Sequence, residues 1–545
     1  MRIIVIGAVA AGTSAAAKAR RNDDFAEIVI YEKDKDISYS GCGLPYYIGG
    51  EIENIDELTP RDSAFFKKKY NIDVFTGYEV LNINSKDKKL TVKNLHSNEV
   101  FEDSYDKLVI ATGATPFIPN VEGIDRDNVF FLRNVQSARN IKSYIQNSKP
   151  KNAVIAGTGF IGFEMLENLM EYEVDVTIIE RESKITPNLD EDMALFLENT
   201  LLKKNIKIIK NTSIIQINNN KVTLSDGIEI DSDMVIMATG VRPNVELAKE
   251  AGIKLGITGA IEVNNKMQTN IEDIYACGDC IETFSTITGK AVYRPLGSTA
   301  NKTGRIAGDV LTGGNLQYKG NLSTGIFKLF DITIASTGLS EKEARSEGYD
   351  IVICHNIKPD KPSYFHGREM VIKAIADRKS EKILGVQIVG YEGVDKRIDV
   401  FATLITYGAK VDELFHLDLA YAPPFSTTKD PVHYTGMILN NAINNNRSII
   451  TNKELKDLVE DGEKVQIIDA RISKQYDESH VEGAENMPHS NLRSELVKLD
   501  KEAITVTYCN KGVTGNAAQN ILINHGFKKV YNLSGGHKFY KSTKK

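Results

Sequence analysis

Cys42, in the segment SYSGCGLPYY, is a thiol with no second cysteine near it in the sequence. A local dithiol would need a cysteine a few positions further on, but the residue five positions later is Tyr47. The other cysteines of the chain are Cys277, Cys280, Cys354 and Cys509. A lone redox sulfur cannot close a local disulfide, so it must cycle through a mixed disulfide with a small thiol, a persulfide or a sulfenic acid.

Cys509 is the second candidate nucleophile, because it ends the apolar run ITVTYC and is followed by a loop and a predicted helix. In that position the loop from Asn510 to Gly515 can aim backbone N–H groups and the helix dipole at a thiolate or persulfide anion, a setting that lowers the pKa of a thiol. A phosphatase loop of the form Cys-x5-Arg is disfavoured, because it would need arginine where this chain has Gly515.

The remaining cysteines are less favoured as reactive thiols or metal ligands. Cys277 and Cys280 have the CxxC spacing of a redox or zinc pair, but the chain contains no second cysteine pair that would complete a zinc site. Cys354 lies in the apolar run IVICHNI and is expected to be a small core residue. A metal role for the adjacent His355 is disfavoured on the same grounds. The sequence therefore predicts no metal site.

The amino terminus has the pattern of a nucleotide-binding turn. The apolar run from Arg2 to Ile6 predicts a buried strand, the turn from Gly7 to Gly12 opens a predicted helix, and Glu32 ends the next apolar strand. Such glycines let the backbone approach a pyrophosphate, and an acid about 20 residues further on bonds a ribose hydroxyl. Val9 replaces the middle glycine of the pattern. The turn by itself is therefore also consistent with a glycine-rich loop that binds no ligand.

A second turn has the glycine pattern intact. It comprises residues 157–162, GTGFIG, and lies between the apolar strand NAVIAG and a predicted helix. The strand VTIIE follows and ends at Glu180. An acid at this position suits an unphosphorylated adenosine ribose, so NADH is favoured, although the adjacent Arg181 leaves NADPH open.

Composition indicates a globular protein of several domains. The 545 residues exceed one compact core and predict three or four domains, at about 100 to 200 residues each. The net charge of -6 and the absence of a dense Lys/Arg tract argue against nucleic acid as a partner. Five scattered cysteines favour a reducing cytoplasm over a secreted disulfide framework. The first residues resemble a signal peptide in composition, but the strand-turn-helix interpretation is stronger, and no apolar stretch elsewhere is long enough to span a membrane.

Three further segments give the chain a family resemblance. KLVIATGATP (107–116) and MVIMATGVRP (234–243) are paired strand-turn signals, and NIEDIYACGDC contains Gly278 and Asp279. They resemble the chain-crossing and flavin-ribitol motifs of the two-dinucleotide flavoprotein reductases, which makes FAD the first nucleotide. Within that superfamily, GAVAAG, SYSGCGLPYY and LAYAPPFSTTKDPV look most like the coenzyme A disulfide reductases and their persulfide-reducing relatives.

This resemblance implies an α/β fold with two Rossmann-like dinucleotide-binding domains and an α+β dimerisation domain. The predicted boundaries are 1–120 with 245–322 for the FAD domain, 121–244 for the NAD(P) domain and 323–445 for the dimerisation domain. By resemblance to related enzymes, Phe160 is expected to gate the nicotinamide face. The cofactor-binding residues that follow are Gly7, Ala8, Gly12, Glu32, Lys33, Val80, Ala111, Thr112, Gly113, Gly157, Gly159, Phe160, Ile161, Gly162, Glu180, Gly240, Gly278 and Asp279.

The pattern changes after the asparagine-rich stretch 444–446, a predicted linker that precedes a new helix capped by Thr451. The segments KVQIIDAR, HVEGAENMPHS, ITVTYCNKGVTGNAAQN and VYNLSGGHKFY then follow in order. They resemble a C-terminal α/β rhodanese domain over 450–545, with Cys509 as its sulfur carrier. Many rhodanese domains carry arginine where Thr514 stands, whereas the KGVT run resembles the thiosulfate-using branch. An inactive rhodanese domain kept for docking is the alternative.

The resemblance also implies residues for the substrate and the proton. Glutathione-reductase-like enzymes use a C-terminal His-Glu pair as acid, but the corresponding stretch here carries Tyr421. The resemblance adds Tyr364, and both would reach in from the partner subunit, where a phenol can hydrogen-bond a leaving thiolate. Core packing is the alternative role of both rings. Coenzyme A brings phosphates, for which Arg21 and Lys429 are the candidate cations, with Ser38 near the pantetheine thiol.

Three functions compete. The favoured one is an FAD-dependent NAD(P)H oxidoreductase, a homodimer, that reduces coenzyme A disulfide, coenzyme A persulfide or polysulfide through Cys42 and carries a sulfurtransferase, with thiosulfate as a donor, at Cys509. The second is an NADH peroxidase or oxidase that cycles Cys42 through sulfenic acid, although those enzymes usually place a histidine where this chain has Ala10. The third is a redox sensor whose rhodanese domain only binds a partner. The sequence does not rank the sulfur substrates or decide whether sulfur passes directly from Cys509 to Cys42.

Overall fold

The computed structural model describes residues 1–544. Its strands are β1 (Arg2–Ile6), β2 (Glu27–Glu32), β3 (Asp73–Thr76), β4 (Tyr78–Asn84), β5 (Lys89–Asn94), β6 (Val100–Ser104), β7 (Lys107–Ile110), β8 (Ala114–Pro116), β9 (Val129–Phe130), β10 (Asn152–Ala156), β11 (Asp175–Glu180), β12 (Lys207–Lys210), β13 (Ile214–Ile217), β14 (Lys221–Leu224), β15 (Glu229–Asp231), β16 (Met234–Met237), β17 (Val241–Pro243), β18 (Ile274–Ala276), β19 (Thr283–Phe284), β20 (Ala291–Val292), β21 (Gly325–Leu329), β22 (Ile332–Gly338), β23 (Ile351–Pro359), β24 (Glu369–Asp377), β25 (Ile383–Gly390), β26 (Ile449–Ile450), β27 (Val465–Asp469), β28 (Ala484–Asn486), β29 (Ile504–Tyr508) and β30 (Lys529–Leu533).

Helices connect and cover these strands. The α-helices are α1 (Ala10–Asn22), α2 (Leu44–Gly49), α3 (Ser63–Tyr70), α4 (Val135–Ser148), α5 (Phe160–Met170), α6 (Glu191–Leu202), α7 (Glu246–Glu250), α8 (Gly297–Val310), α9 (Glu341–Ser346), α10 (Val394–Thr406), α11 (Pro431–Asn444), α12 (Asn452–Glu460), α13 (Ser473–Glu478), α14 (Leu492–Glu495), α15 (Val513–Asn524) and α16 (Gly536–Ser542). Short 3-10 helices span Gly41–Gly43, Ile55–Leu58, Ser363–Phe365, Glu413–His416 and Leu496–Lys498.

The first of two compact units comprises Met1–Ser183 and Lys207–Asn321 and contains two five-stranded parallel sheets. Their strand orders are β18-β7-β1-β2-β3 and β12-β11-β10-β16-β9. In each sheet the strand before a glycine turn is central, because β1 pairs with β2 and β7, and β10 pairs with β11 and β16. The glycine turns therefore lie at the carboxyl ends of central strands, where open α/β sheets bind their ligands.

Apolar runs in the sequence explain the burial of these sheets. The run RIIVI in β1 and the run EIVIYE in β2 are nearly continuous hydrophobic segments, as expected for parallel strands that are covered on both faces. The alanine-rich helix α1 packs against α8 beside the first sheet. Smaller antiparallel sheets, β4-β5-β6 and β13-β14-β15, and the ribbons β8-β17 and β19-β20 complete the unit.

The second compact unit comprises Lys184–Ile206 and the chain from Leu322 onward. It contains an antiparallel sheet of order β21-β22-β25-β24-β23 and a parallel sheet of order β26-β30-β29-β27-β28. Helices α10 and α11 pack on the antiparallel sheet, and α15 packs on β29 and β30 of the parallel sheet. Strand β25 is buried along its whole length, so the antiparallel sheet is covered on both faces there.

Helix α6 follows β11 in the chain but belongs to the second compact unit. Just before the helix, the carboxylate of Asp190 accepts hydrogen bonds from the Gln387 side chain at 2.7 Å and from the Glu341 N–H at 3.0 Å. Near its other end, Asn199 donates to the carbonyl of Ser542 at 2.9 Å. The buried face of the helix consists of Met193, Ala194, Leu197 and Leu201. Their spacing predicts an amphipathic helix but does not identify the surface it covers.

The predicted fold class is confirmed: two Rossmann-like parallel sheets, an α+β unit with an antiparallel sheet, and a C-terminal parallel α/β sheet. Thr451 caps α12 as predicted, because its hydroxyl accepts from the Glu454 N–H at 3.2 Å while the Glu454 carboxylate accepts from the Thr451 N–H at 2.9 Å. No helix within residues 1–544 is both long enough and apolar enough to cross a membrane. The predicted domain boundaries stay predictions.

Candidate active site

The first glycine turn has the close backbone approach that a dinucleotide site needs. Gly7 has a φ of +105°, and a Cβ atom there would lie 2.3 Å from the carbonyl oxygen of Ala111. A Cβ on Gly12 would lie 1.9 Å from the carbonyl oxygen of Gly7, so the helix can approach the strand only with glycine. The Glu32 carboxylate accepts from the Ala8 N–H at 2.7 Å and is held at the mouth of the turn.

Burial raises the pKa of Glu32, and hydrogen bonds from the backbone N–H groups of Asp34 and Ala8 oppose that shift. The turn, the helix that begins at Ala10 and the acid at the end of β2 therefore form the set that the sequence predicted. Lys33, the next residue, is exposed, and Val80 is half-buried in β4.

The second glycine turn repeats this geometry. Gly157 has a φ of +108°, and a Cβ there would lie 2.4 Å from the carbonyl oxygen of Ala238. A Cβ on Gly159 would meet no atom within 4 Å, so this face of the turn has room for a phosphate. The Glu180 carboxylate accepts from the Thr158 N–H at 3.1 Å. Gly162 packs the start of α5 against the turn, and Phe160 and Ile161 are its first residues.

The two ATG segments meet through backbone and side-chain contacts. Strand β17 pairs with β8, which sets Val241 opposite Pro116. The Thr112 hydroxyl donates to the Asn244 carbonyl at 2.8 Å, and the Asn244 side chain donates back to the Thr112 carbonyl at 2.8 Å. The Phe117 N–H donates to the Gly240 carbonyl at 2.9 Å. Ala111, Thr112 and Gly113 directly follow β7 in the chain. They lie beside the first glycine turn, because Gly7 approaches the carbonyl of Ala111.

Asp279 lies in a turn that approaches helix α1. Gly278 has a φ of +82°, and a Cβ there would lie 2.7 Å from the Cβ of Ala11. Arg133 lies 3.3 Å from the Asp279 carboxylate, and the Tyr293 hydroxyl donates to the Asp279 carbonyl at 2.9 Å. The first unit thus has two tight glycine turns, each with an acid at the end of the neighbouring strand, and a third turn at Asp279. This set fits one FAD and one pyridine nucleotide.

Cys42 lies in the 3-10 helix Gly41–Gly43, immediately before α2, and is exposed. The protein around it still displaces enough water to raise the pKa of its thiol, and the negative charges of Glu164 and Asp279 raise it further. The Cys42 thiol therefore lies within the electrostatic reach of both nucleotide-binding halves of the first unit. A thiol with a raised pKa needs a proton acceptor or a cationic partner before it can act as a thiolate.

Glu164 is a site residue that sequence reasoning missed. It lies in α5, four residues after Phe160, and burial, followed by the charge of Glu167, raises its pKa to about 7. A glutamate with that pKa exchanges a proton near neutral pH. The signal available in the sequence was an acidic residue one helical turn after the second glycine motif, which places it on the same helix face as the aromatic that follows the turn.

The predicted acid and substrate residues are placed as follows. Tyr421 and Tyr364 have 48% and 68% of their surface exposed, so neither ring is a core residue of the chain. Ser38 has a φ of +48°, and its N–H donates to the Ala8 carbonyl at 2.8 Å, which sets it beside the first glycine turn. Arg21 is exposed in the last turn of α1, and Lys429 is exposed just before α11.

All five cysteines are free. Burial raises the pKa of Cys277 and brings that of Cys280 to about 11, so neither is a reactive thiol, and the Cys280 sulfur lies 3.3 Å from the Cys277 carbonyl oxygen. Cys354 is a buried core residue as predicted, and burial raises its pKa to about 12. Within residues 1–544 the His, Cys, Asp and Glu side chains form no cluster that could hold a metal ion.

Cys509 follows β29 and is 7% exposed. Its carbonyl accepts from the His537 N–H at 2.8 Å, and the Asn510 carbonyl accepts from the Lys538 N–H at 3.0 Å. Beneath the loop, the buried Asp469 carboxylate accepts from the Tyr508 hydroxyl at 2.7 Å. The loop then continues into α15, which begins at Val513. Cys509 therefore lies between the end of a strand and the first turn of a helix, in a loop whose backbone carbonyls accept two hydrogen bonds from α16.

Comparison with known proteins identifies the family of this chain. The profile described as pyridine nucleotide-disulphide oxidoreductase matches residues 1–295, more than half of the chain. The chain belongs to this family. The family's dimerisation domain matches residues 325–431, and a rhodanese-like domain matches residues 451–543. Membership of the pyridine nucleotide-disulphide oxidoreductases implies FAD and NAD(P)H, which the two glycine turns fit.

Named relatives within the family are similar over almost their whole length. An NADH oxidase of Methanocaldococcus jannaschii is 39% identical over 437 residues, which cover 79% of this chain and 97% of that protein. A coenzyme A disulfide reductase of Staphylococcus haemolyticus is 36% identical and covers 80% of this chain and 98% of its own. The solved structure of an NAD-dependent persulfide reductase from A. fulgidus is 38% identical, with a TM-score of 0.91 over 99% of this chain and all of its own.

Proposed function

We propose that this chain is an FAD-dependent NAD(P)H oxidoreductase that reduces coenzyme A disulfide, or coenzyme A persulfide and polysulfide, through the single thiol of Cys42, and that it transfers sulfane sulfur at Cys509. The observation that carries the proposal is Cys42 itself. It is exposed, it lies within electrostatic reach of Asp279 and Glu164, and Tyr47 occupies the position of a second redox cysteine. The names of the similar reductases agree with this substrate class.

The chain's own residues would act through the sulfur of Cys42. Bound FAD supplies electrons that NAD(P)H delivers. The Cys42 thiolate attacks one sulfur of coenzyme A disulfide, a Cys42–coenzyme A mixed disulfide forms, and coenzyme A leaves as a thiolate that takes up a proton. With a persulfide, attack on the outer sulfur releases the coenzyme A thiolate and leaves a persulfide on Cys42.

Tyr421 and Tyr364 are proposed to donate hydrogen bonds to the leaving thiolate in a homodimer, each from the partner subunit. Their exposure of 48% and 68% supports this role, since a ring that reaches a neighbouring subunit must lie at the surface of its own. The dimerisation domain in residues 325–431 supports the dimer. A phenol is a weaker acid than imidazolium but can stabilise a thiolate by a hydrogen bond.

For the small molecules, we infer NADH as the preferred donor, because the acid at Glu180 would repel the extra phosphate of NADPH. Ser38, beside the first glycine turn, is proposed near the pantetheine thiol of coenzyme A, and Arg21 and Lys429 near its phosphates. We propose an FAD domain over 1–120 with 245–322, an NAD(P) domain over 121–244, a dimerisation domain over 323–445 and a rhodanese domain over 450–545. The proposed location is a reducing cytoplasm.

A second candidate is an NADH oxidase or peroxidase that cycles Cys42 through sulfenic acid. It is favoured by the name of the Methanocaldococcus relative at 39% identity. Against it stands Ala10, where the peroxidase and oxidase relatives usually place a histidine. A third candidate, a redox sensor with a docking rhodanese domain, predicts bound flavin without sustained NADH consumption.

Mass spectrometry and two cysteine variants separate these functions. Mass spectrometry of the purified protein is expected to show a coenzyme A adduct on Cys42, whereas sulfenic or sulfinic acid there would favour the oxidase or peroxidase. Cys42→Ser is expected to keep FAD and lose coenzyme A disulfide-dependent NADH oxidation, while Cys509→Ser loses thiosulfate sulfurtransferase activity and keeps that reduction. Near-normal coenzyme A disulfide reduction by Cys42→Ser would refute the mechanism.

A further inference from the structure

Arg397 is a buried cation in the first turn of α10, within the second compact unit. It is 1% exposed, and its Nη2 atom lies 2.8 Å from a carboxylate oxygen of the buried Asp430. Its Nη1 donates to the carbonyl of Gly393 at 3.0 Å, at the start of the same helix. Burial would raise the pKa of Asp430, but the hydrogen bond and the charge of Arg397 outweigh it and lower that pKa. The two side chains therefore form an ion pair that joins the start of α10 to the start of α11.

The same guanidinium contacts the loop that carries Tyr364. This Tyr364 loop runs from Asp360 to Arg368, and Tyr364 lies in the 3-10 helix at its middle. Nη2 of Arg397 donates to the Asp360 carbonyl at 2.9 Å. The Asp360 N–H donates to the Arg368 carbonyl at 3.0 Å, and the Arg368 N–H donates to the Asp360 carboxylate at 2.6 Å. Arg397 therefore holds the base of the Tyr364 loop, where the two ends of the loop meet.

Arg397 also contacts the segment that carries Tyr421. This Tyr421 segment runs from Tyr421 to Asp430 and contains the buried Ser426. Nη2 of Arg397 donates to the Ser426 hydroxyl at 3.2 Å, and that hydroxyl donates to the Asp430 carboxylate at 2.7 Å. The Ser426 N–H donates to the carbonyl of Ala422 at 3.1 Å, so the chain turns directly after Tyr421. The exposed tyrosine is thus anchored through a buried serine that Arg397 contacts.

The shape of the guanidinium makes this junction rigid. Its five N–H donors lie in one plane at fixed angles, so the acceptors on Asp360, Ser426 and Asp430 are held in a fixed arrangement. A lysine would keep the charge, but its ammonium is a single point on a flexible stem and lacks the planar fork. One buried side chain therefore fixes the base of the Tyr364 loop relative to the Tyr421 segment.

We propose that Arg397 is a positioning residue for Tyr364 and Tyr421, which it holds together so that both phenols meet the same leaving coenzyme A thiolate. The inference rests on the proposed function, in which the two tyrosines donate hydrogen bonds to that thiolate. Hydrogen-bond donors stabilise a developing charge when they are held where the charge forms. Arg397 touches neither substrate nor cofactor in this role and acts through the two phenols.

Arg397→Lys in the full-length flavoprotein tests the role, because it keeps the charge beside Asp430 and removes the fork. The measured quantity is the stopped-flow rate constant at which coenzyme A disulfide reoxidises the NADH-reduced enzyme. Arg397→Lys is expected to lower it about tenfold in the otherwise native protein. In the Tyr364→Phe, Tyr421→Phe double variant the loss should be less than about twofold, since no phenol remains to be positioned. Equal losses in both backgrounds would indicate a general structural role and would overturn the proposal.

Two controls accompany the measurement. Arg378→Lys changes an exposed arginine of the same unit, which lies 3.6 Å from Asp350, and is expected to leave the rate constant unchanged. Reduction of ferricyanide by NADH needs the flavin but releases no thiolate, so Arg397→Lys should leave it at the wild-type rate. A parallel fall in ferricyanide reduction would show damage to the whole flavoprotein and would overturn the proposal.

Ser426→Ala is a milder variant that keeps the proposal testable if Arg397→Lys does not fold. It removes the hydroxyl between Arg397 and Asp430 and leaves their ion pair in place. It is expected to lower the reoxidation rate constant about threefold in the native protein, because one hydrogen bond of the anchor is lost, and to have no effect in Tyr421→Phe. A threefold loss in both backgrounds would contradict an action through Tyr421.

Hydrogen exchange tests the junction without any assumption about turnover. Arg397→Lys is expected to raise amide exchange in the Tyr364 loop and in the Tyr421 segment together. A rise in one of them alone would overturn the proposal. A wild type that NADH reduces but coenzyme A disulfide does not reoxidise would reject the proposed function and this role with it. A reoxidised wild type with equal losses in both tyrosine backgrounds would reject the role of Arg397 alone.

Discussion

The Nε2 atom of His355 lies 2.7 Å from a carboxylate oxygen of Asp192, and this contact joins strand β23 to helix α6. On the other side of the imidazole, Nδ1 lies 3.0 Å from the Ser534 hydroxyl, and the ring stacks on Phe539 with centroids 4.2 Å apart. The fully buried Lys373 donates to the same carboxylate at 2.9 Å. Residues of α6, β23, β24 and the segment after β30 therefore share one polar cluster.

Asp192 makes the stability of this cluster depend on pH. Burial alone would raise the pKa of Asp192, but Lys373 and then His355 outweigh it and hold the pKa well below the usual carboxyl value. The stabilising contribution is therefore complete above about pH 4 and is lost as the pH falls through the lower, folded-state value.

Asp192→Asn is expected to destabilise the second unit by about 2 kcal/mol at pH 7. The neutral amide would interact more weakly than the carboxylate with the buried side chains of Lys373 and His355. Hydrogen exchange in α6 and β23 is expected to rise at pH 7, with a smaller difference from wild type near pH 3. Asp477→Asn, which changes an exposed aspartate of the same unit, is the matched control. An effect of the same size at both pH values would contradict the ionic origin.

Glu164 is expected to control the ionisation of Cys42. Because its charge raises the pKa of the Cys42 thiol, Glu164→Gln should lower that pKa and increase the thiolate fraction at a given pH. The measurement is the pH dependence of iodoacetamide alkylation at Cys42. Glu171→Gln, at the exposed end of α5, is the control and should leave the curve in place. A shift to higher pH in Glu164→Gln would show that the two groups do not repel.

Glu180 is expected to set the choice between NADH and NADPH. Its carboxylate accepts from the Glu182 N–H at 2.9 Å, while Arg181 pairs with the Glu182 side chain at 3.1 Å. Glu180→Ser should shift the kcat/KM ratio toward NADPH about tenfold, since it removes a charge that repels the extra phosphate. Glu182→Ser, which frees Arg181 while keeping Glu180, shows how much the arginine contributes. A wild type that prefers NADPH would refute the assignment.

Tyr421 is expected to serve the Cys42 of the partner subunit. Homodimers of Cys42→Ser and of Tyr421→Phe should both be impaired, but unfolding and refolding them together should restore activity. Each mixed dimer would contain one site with both native residues, so random reassortment should recover roughly a quarter of the sites. Native mass spectrometry confirms the mixed dimers. Activity that stays at the average of the two parents would place Tyr421 within its own chain or outside the reaction.

Local chemistry explains how much of this protein could be predicted. A phosphate turn, the helix that follows it and the acid at the next strand end lie within about 30 residues, so Gly7 to Glu32 and Gly157 to Glu180 carry their structure in short segments. Cys42 without a neighbouring cysteine restricts its own chemistry by the same local logic. The fold class and the family followed from these motifs, whereas the roles of the individual site residues stay predictions.

The sequence alone determined the two glycine turns, the absence of a second cysteine beside Cys42 and the order of the rhodanese-like segments, because each depends on residues close together in the chain. Only the tertiary structure decided that α6 packs in the second unit, that Asp192 meets His355, that Glu164 raises the pKa of Cys42 and that Thr112 pairs with Asn244. The physical reason is the same for all four. Periodicity gives a helix or strand its buried face, but the partner of that face depends on contacts between segments far apart in sequence, which no local pattern records.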